Sequence, residues 1–121
     1  MKKVLIVDDH ADIRRLIRIT LGVNFEVLEA VNGAECLQIA KENIPDVIVL
    51  DLMMPGGKDG LEVLDRIRAD ADFKHTRVIM VTARGQVQDH EEGIKRGADQ
   101  YFIKPFSPLQ LVAAIKELMS R

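Results

Sequence analysis

The chain has 121 residues, 47% hydrophobic and 30% charged, with a formal net charge of −2 and a single cysteine. That length suits one core, so a single domain over residues 1–121 is expected, and the near-neutral balance leaves no electrostatic footprint for nucleic acid or an anionic membrane. Cys36 alone excludes an internal disulfide or a multi-cysteine metal site, no apolar stretch approaches the roughly 20 residues of a bilayer span, and Met1-Lys2-Lys3 lacks the following apolar core of an export signal, which together point to the cytoplasm.

Val4-Leu5-Ile6-Val7 is a short apolar strand that stops in Asp8-Asp9. Ile13, Leu16, Ile17, Thr20 and Leu21 then recur on one helical face, Asp12 sits in the first turn where the helix dipole favours it, and Gly22 closes the helix. Arg14, Arg15 and Arg18 fall mainly on the opposite, solvated face. Phe25 to Ala30 mixes Glu26 and Glu29 with apolar residues, the pattern of a strand less fully covered and near a sheet edge. Asn32-Gly33 turns into a second helix that Pro45 cannot continue; Cys36, with Leu37, Ala40 and Ile44 at helical spacing, is core packing.

The most informative stretch follows. Val47-Ile48-Val49-Leu50 is apolar throughout, as in a strand covered on both faces, and it ends in Asp51 and a loop. Leu61, Val63, Leu64 and Ile67 define a third helix, and the polar Asp70 to Thr76 leads out of it. Val78-Ile79-Met80-Val81 is another buried strand, ending in Thr82. Gln86 to Arg96 is a mostly polar helix with Val87 and Ile94 as its large apolar anchors, which makes it the least firmly held element. Tyr101-Phe102-Ile103 is a brief strand ending in Lys104-Pro105, and Ser107-Pro108 caps a last helix whose face carries Leu111, Val112, Ile115, Leu118 and Met119.

Strands alternating with helices predict an α/β fold, a doubly wound parallel five-stranded sheet with right-handed crossovers and strand order 2-1-3-4-5. That order gathers Asp8, Asp9, Asp51, Thr82 and Lys104 along the rim formed by the carboxyl ends of the strands, where open α/β sheets bind ligands. Carboxylates gathered there repel one another, and at least one pKa rises unless a cation intervenes. Mg²⁺ suits such a set, because it takes oxygen ligands from one or two carboxylates and a phosphate. With Thr82 as hydroxyl donor and Lys104 as point charge, the rim can receive a transferring phosphoryl group, and Asp51 is then the nucleophile that forms an acyl phosphate.

Asp8-Asp9, Asp51 followed by Met54-Pro55 and Asp59-Gly60, Thr82-Ala83 and Lys104-Pro105-Phe106, each at a strand's carboxyl end, resemble the receiver domain of two-component response regulators, with its flavodoxin-like (βα)5 fold. The resemblance spans essentially the whole chain. It implies that Asp51 accepts the phosphoryl group of a phosphohistidine on a sensor histidine kinase or a histidine phosphotransfer protein, in a phosphorelay rather than as a multiple-turnover enzyme. It further implies Mg²⁺ (with Mn²⁺ as an alternative) on Asp9, Asp51 and the backbone carbonyl of Met53, Asp8 acting through a water, and phosphoryl oxygens on Thr82 and Lys104. A cis Lys104-Pro105 bond and a switch through Thr82 and Tyr101, three residues before Lys104, belong to the same pattern, with the surface of helix four, strand five and helix five passing the signal to an unnamed downstream effector or output domain.

Some positions depart from that pattern. Asp51 and Gly60 are separated by one residue more than is usual in the family, the extra residue lying within Gly56-Gly57-Lys58. Met53 and Arg84 occupy variable positions without an amide or carboxylate to orient an attacking water, which implies slow self-dephosphorylation. Gln100 and Ala114 stand where a winged-helix transcription-factor subfamily carries an aspartate and an arginine that pair across its dimer face, so that charge-paired dimer is not expected. Two rivals are weaker. A haloacid-dehalogenase-type phosphohydrolase needs a general-acid aspartate where Met53 stands, and a receiver that never accepts phosphate has no use for an intact Asp9, Asp51, Thr82 and Lys104. A flavodoxin-type cofactor site would put its phosphate against Asp8-Asp9, which repel it. His10 is taken as an exposed residue opening helix one rather than a ligand, and His75 and His90 as scattered.

Overall fold

Residue parity in the strands sets the architecture, because successive side chains of a strand point to opposite faces and each face needs its own cover. The computed structural model describes residues 1–52, 60–83 and 87–121, with backbone alone for 87–90. In chain order they form β1 (Lys2–Val7), α1 (Ala11–Leu21), β2 (Phe25–Ala30), α2 (Gly33–Asn43), β3 (Val47–Asp51), α3 (Gly60–Ala69), a short 3-10 turn (Ala71–Phe73), β4 (Arg77–Ala83), α4 (Val87–Lys95), β5 (Gln100–Lys104) and α5 (Pro108–Met119). The sheet is parallel throughout, with strand order β2-β1-β3-β4-β5, as the alternating pattern predicts.

One face of the sheet presents Leu5, Val7, Ile48, Leu50, Val78 and Met80 to α2 and α3, where Cys36, Ala40, Leu64 and Ile67 complete a core. The other presents Val4, Ile6, Val47, Val49, Ile79 and Val81 to Ile17 and Leu21 of α1 and Leu111, Ile115 and Leu118 of α5. Burying a Val, Leu or Ile side chain contributes about 1.5–3 kcal/mol, so the central strands hold the sheet. β3 is buried along its whole length, whereas β2 is mostly half-buried and β5 alternates between half-buried and exposed, in keeping with their edge positions.

The helix ends follow local chemistry. Asn32 accepts from the Glu35 amide while the Glu35 carboxylate accepts from the Val31 amide, a reciprocal cap that starts α2. Ser107 accepts from the Gln110 amide to start α5, with Pro108 in its first turn. Two expectations for the helices need correction. Leu16, assigned to the buried face of α1, is 46% exposed, and Ile94, one of the two expected anchors of α4, is 45% exposed, while the side chain of the other, Val87, lies outside the described residues. Gly93 makes a close contact. It is buried, and a Cβ placed there would overlap Sδ and Cε of Met80, so α4 meets β4 at a point where glycine allows close approach.

At the amino ends of β4 and β5, Arg68 of α3 ties several segments together. Its Nε donates to the Gly97 carbonyl at 2.8 Å, Nη1 to the Thr76 carbonyl at 2.8 Å and the Phe73 carbonyl at 3.3 Å, and Nη2 to Asp99 Oδ2 at 3.0 Å. That carboxylate oxygen also accepts from the Val78 amide at 2.8 Å. This end of the sheet is thereby held together by a single guanidinium that bonds three backbone carbonyls. The opposite end is built for something else.

Candidate functional site

A carboxylate buried at a strand end is stable only if something offsets its desolvation. Asp51 closes β3 at 1% exposure, and Asp8, one residue beyond β1, is 3% exposed. Their strands are adjacent and in register, Val7 lying opposite Leu50. Lys104, the last residue of β5, reaches back across β4 to both. Its Nζ donates to Asp8 Oδ2 at 2.9 Å and to Asp51 Oδ2 at 3.0 Å. Thr82, 1% exposed, comes to the same rim from β4, one residue past the Val81 that lies opposite Asp51. The Lys104-Pro105 peptide bond is cis.

Lys104 decides the electrostatics. Burial pushes the Asp8 carboxyl up, but the His10 amide and the Lys104 ammonium outweigh it and hold the carboxyl below its usual range. Burial likewise pulls Lys104 down, and its hydrogen bonds and attraction to Asp8 and Asp51 outweigh that, so the ammonium holds its proton above the usual lysine range. A raised carboxylate is expected at such a rim only where no cation intervenes. Here the intervening cation is supplied by the chain itself.

The loop after β1 is shaped by its own backbone. The Asp8 amide donates to Ala30 of β2 at 3.1 Å, and the His10 amide folds back to Asp8 Oδ1 at 2.8 Å. Arg14, expected on a solvated face, is instead mostly buried. Its Nε bonds Glu29 at 2.8 Å and its Nη1 donates to the Asp8 carbonyl at 2.8 Å, so α1 and β2 together pin the acidic loop from behind. The helical spacing of Arg14 put it beside Arg15 and Arg18, and nothing local marked Glu29 as its partner.

Asp9 completes the cluster. Its Oδ1 is buried without a hydrogen-bond partner, lying 3.2 Å from His10 Nδ1 in a geometry that makes no bond. One ligand atom from each of Asp8, Asp9, His10 and Asp51 lies within 4.8 Å of the others. A cation with ligands at about 2.0–2.4 Å holds even opposite ligand atoms no more than about 4–4.8 Å apart, so the donor set fits a divalent ion, and the orphaned oxygen is the kind of atom such an ion satisfies. Among the expected site residues, then, Asp8, Asp9, Asp51 and Lys104 converge and Thr82 stands beside them. Tyr101 is 42% exposed on β5, away from the cluster. Met53, Lys58 and Arg84, and with them the expected carbonyl ligand and the inserted residue, lie outside the described residues.

The sequence matches the family described as the response regulator receiver domain over residues 4–116. It is 45% identical over 120 residues to the transcriptional regulatory protein ResD of Bacillus subtilis, covering 98% of this chain and 48% of that one. The transcriptional regulatory protein SrrA of Staphylococcus aureus is 43% identical, with 98% and 48% covered. A crystal structure of a response regulator receiver domain protein from Clostridium thermocellum superposes with a TM-score of 0.90 at 31% identity, covering all of this chain and 96% of its own. The chain thus spans about half the length of the curated relatives it matches. Among the described residues no helix is long and apolar enough to cross a membrane.

Proposed function

From the fact that this chain belongs to the response regulator receiver domain family of two-component systems, we propose that it accepts a phosphoryl group on Asp51 from a phosphohistidine of a sensor histidine kinase or histidine phosphotransfer protein. The observation that carries this reading is the Lys104 ammonium seated between two buried carboxylates, Asp8 and Asp51. An Asp51 oxygen attacks phosphorus, the P–N bond breaks, and the histidine ring leaves with that electron pair while a P–O bond forms. Lys104 and the Thr82 hydroxyl then hold phosphoryl oxygens, with Lys104 exchanging a carboxylate partner for the new dianion. Mg²⁺, or Mn²⁺ in its place, would be held by Asp9, Asp51 and the Met53 carbonyl, with Asp8 through a water, and supplies charge neutralisation during transfer.

The product is a signal rather than a turnover cycle. A dianion on Asp51 draws Thr82 toward it, and Tyr101, exposed in this state, turns inward behind it. The α4–β5–α5 surface thereby shifts population toward the form that a downstream effector or output domain recognises. Relatives named as transcriptional regulators support an output in gene control exerted by another segment or partner, with residues 1–121 forming one receiver unit in the cytoplasm that itself touches neither DNA nor membrane.

Incubation with radiolabelled acetyl phosphate and Mg²⁺ tests the reading. The wild type takes up label that is lost on Asp51→Asn substitution and on chelation of the metal. Undiminished labelling of Asp51→Asn refutes the assignment.

A further inference from the structure

His10 opens α1 as its N-cap residue, yet its side chain makes no capping bond. The imidazole turns to the acids instead. Nδ1 lies 3.1 Å from Asp8 Oδ1 and 3.2 Å from the orphaned Asp9 Oδ1. Facing carboxylate oxygens, Nδ1 is placed to donate its proton to Asp8, and because the side chain is 61% exposed the ring can move that proton to Nε2 and turn the Nδ1 lone pair to a cation. An oxygen-only rim suits Mg²⁺, whereas an imidazole nitrogen adds affinity for the later first-row divalent ions and adds little for Mg²⁺.

We propose that His10 makes the rim a mixed carboxylate–imidazole site, in which Nδ1 joins Asp9 and Asp51 in holding Co²⁺, Ni²⁺ or Zn²⁺ and sets the metal preference of this receiver. The inference rests on the cation site of the preceding section and adds a ligand to it. Binding a late divalent ion replaces the His10–Asp8 contact with a metal–nitrogen bond, and Asp9 Oδ1 gains the partner it lacks. Ions that take the imidazole then compete with Mg²⁺ for the same carboxylates. Preference among cations thereby becomes a property of one residue at the helix start.

Calorimetric titration of the unphosphorylated chain with Mg²⁺ and with Co²⁺ tests this, using wild type, His10→Ala, His10→Asn and Asp9→Asn. Asparagine is a good N-cap, so His10→Asn keeps the helix start sound while removing the imidazole. Both His10 variants bind Mg²⁺ as the wild type does and lose about tenfold or more in Co²⁺ affinity, with a changed visible spectrum of bound Co²⁺. Asp9→Asn loses both ions. Equal Co²⁺ affinity with and without His10 overturns the proposal and leaves the Mg²⁺ site standing. Equal weakening of Co²⁺ and Mg²⁺ makes His10 a prop for the acids and overturns it too. Failure of the wild type to bind either ion removes the metal site of the proposed function along with this one.

Discussion

Replacing Lys104 with methionine keeps the aliphatic stem and removes the ammonium that Asp8 and Asp51 share. Losing one partner of a buried ion pair costs about 3–5 kcal/mol. The Lys104 side chain is 23% exposed, so water replaces part of what is lost, and about 2–3 kcal/mol at pH 7 is expected. With unfolding entropy near 2.1 cal/mol/K per residue, that lowers Tm by about 10 °C for a chain of this length. The pH dependence distinguishes this from a packing defect. In the wild type the Asp8 pKa is depressed below its ordinary 3.8, so its contribution is present above that value and lost only as pH falls through the folded value. The Lys104 pKa is raised above 10.5, so its contribution is complete below that and lost as pH rises through the folded value. Between about pH 5 and 9 the wild-type pair is therefore constant, and any slope in the difference belongs to the variant. There only the His10 hydrogen bonds still oppose burial at Asp8, so its carboxyl lies higher than in the wild type and acidification, by protonating it, narrows the gap. Thermal melts of both proteins from pH 8 to 5, followed by circular dichroism without divalent ions, measure it. A gap that stays constant over that range refutes the electrostatic account.

Gly93→Ala is expected to destabilise the fold by about 1–2 kcal/mol, since overpacking against the wholly buried Met80 outweighs the roughly 1 kcal/mol gained in helix propensity. Urea denaturation in a double-mutant cycle with Met80→Val checks the cause, because additive effects would mean that the methyl group and the thioether do not meet. Arg68→Met keeps the stem but removes the guanidinium, and we expect a loss of about 2–3 kcal/mol in urea denaturation, with faster hydrogen exchange at the Val78 and Asp99 amides. Unchanged exchange at those amides would show that the clamp does not hold them.

The central strands were legible in the sequence because their apolar runs stop abruptly in Asp8, Asp51 and Thr82, and polar residues at buried strand ends leave few alternatives to a shared site. Strand order followed from the half-covered pattern of Phe25 to Ala30 and the brevity of Tyr101 to Ile103. What stayed hidden depends on contacts between distant residues or on the absence of a side chain. Periodicity puts Leu16 and Ile94 among apolar residues, but a helix lying on a sheet covers a narrower stripe than the pattern allows, and both face solvent. Gly93 carries no hydrophobic signal although it makes the close contact with β4. Arg14 looked like part of a charged face because Glu29 lies on another element. His10 is exposed, as its place at the helix start suggests. Its orientation toward the acids follows from the turn in which its own amide caps Asp8.

The Arg68 clamp has a mechanical consequence. By holding the Gly97 carbonyl just after α4, and the carbonyls of Phe73 and Thr76 just before β4, it places a fulcrum at the end of the molecule remote from the acids. With that end fixed, the movement of Thr82 proposed above would turn α4 about its trailing end, with the greatest travel at the helix's leading end. On that proposal the receiver would work as a lever hinged at its base, and the length of α4 would set its gain.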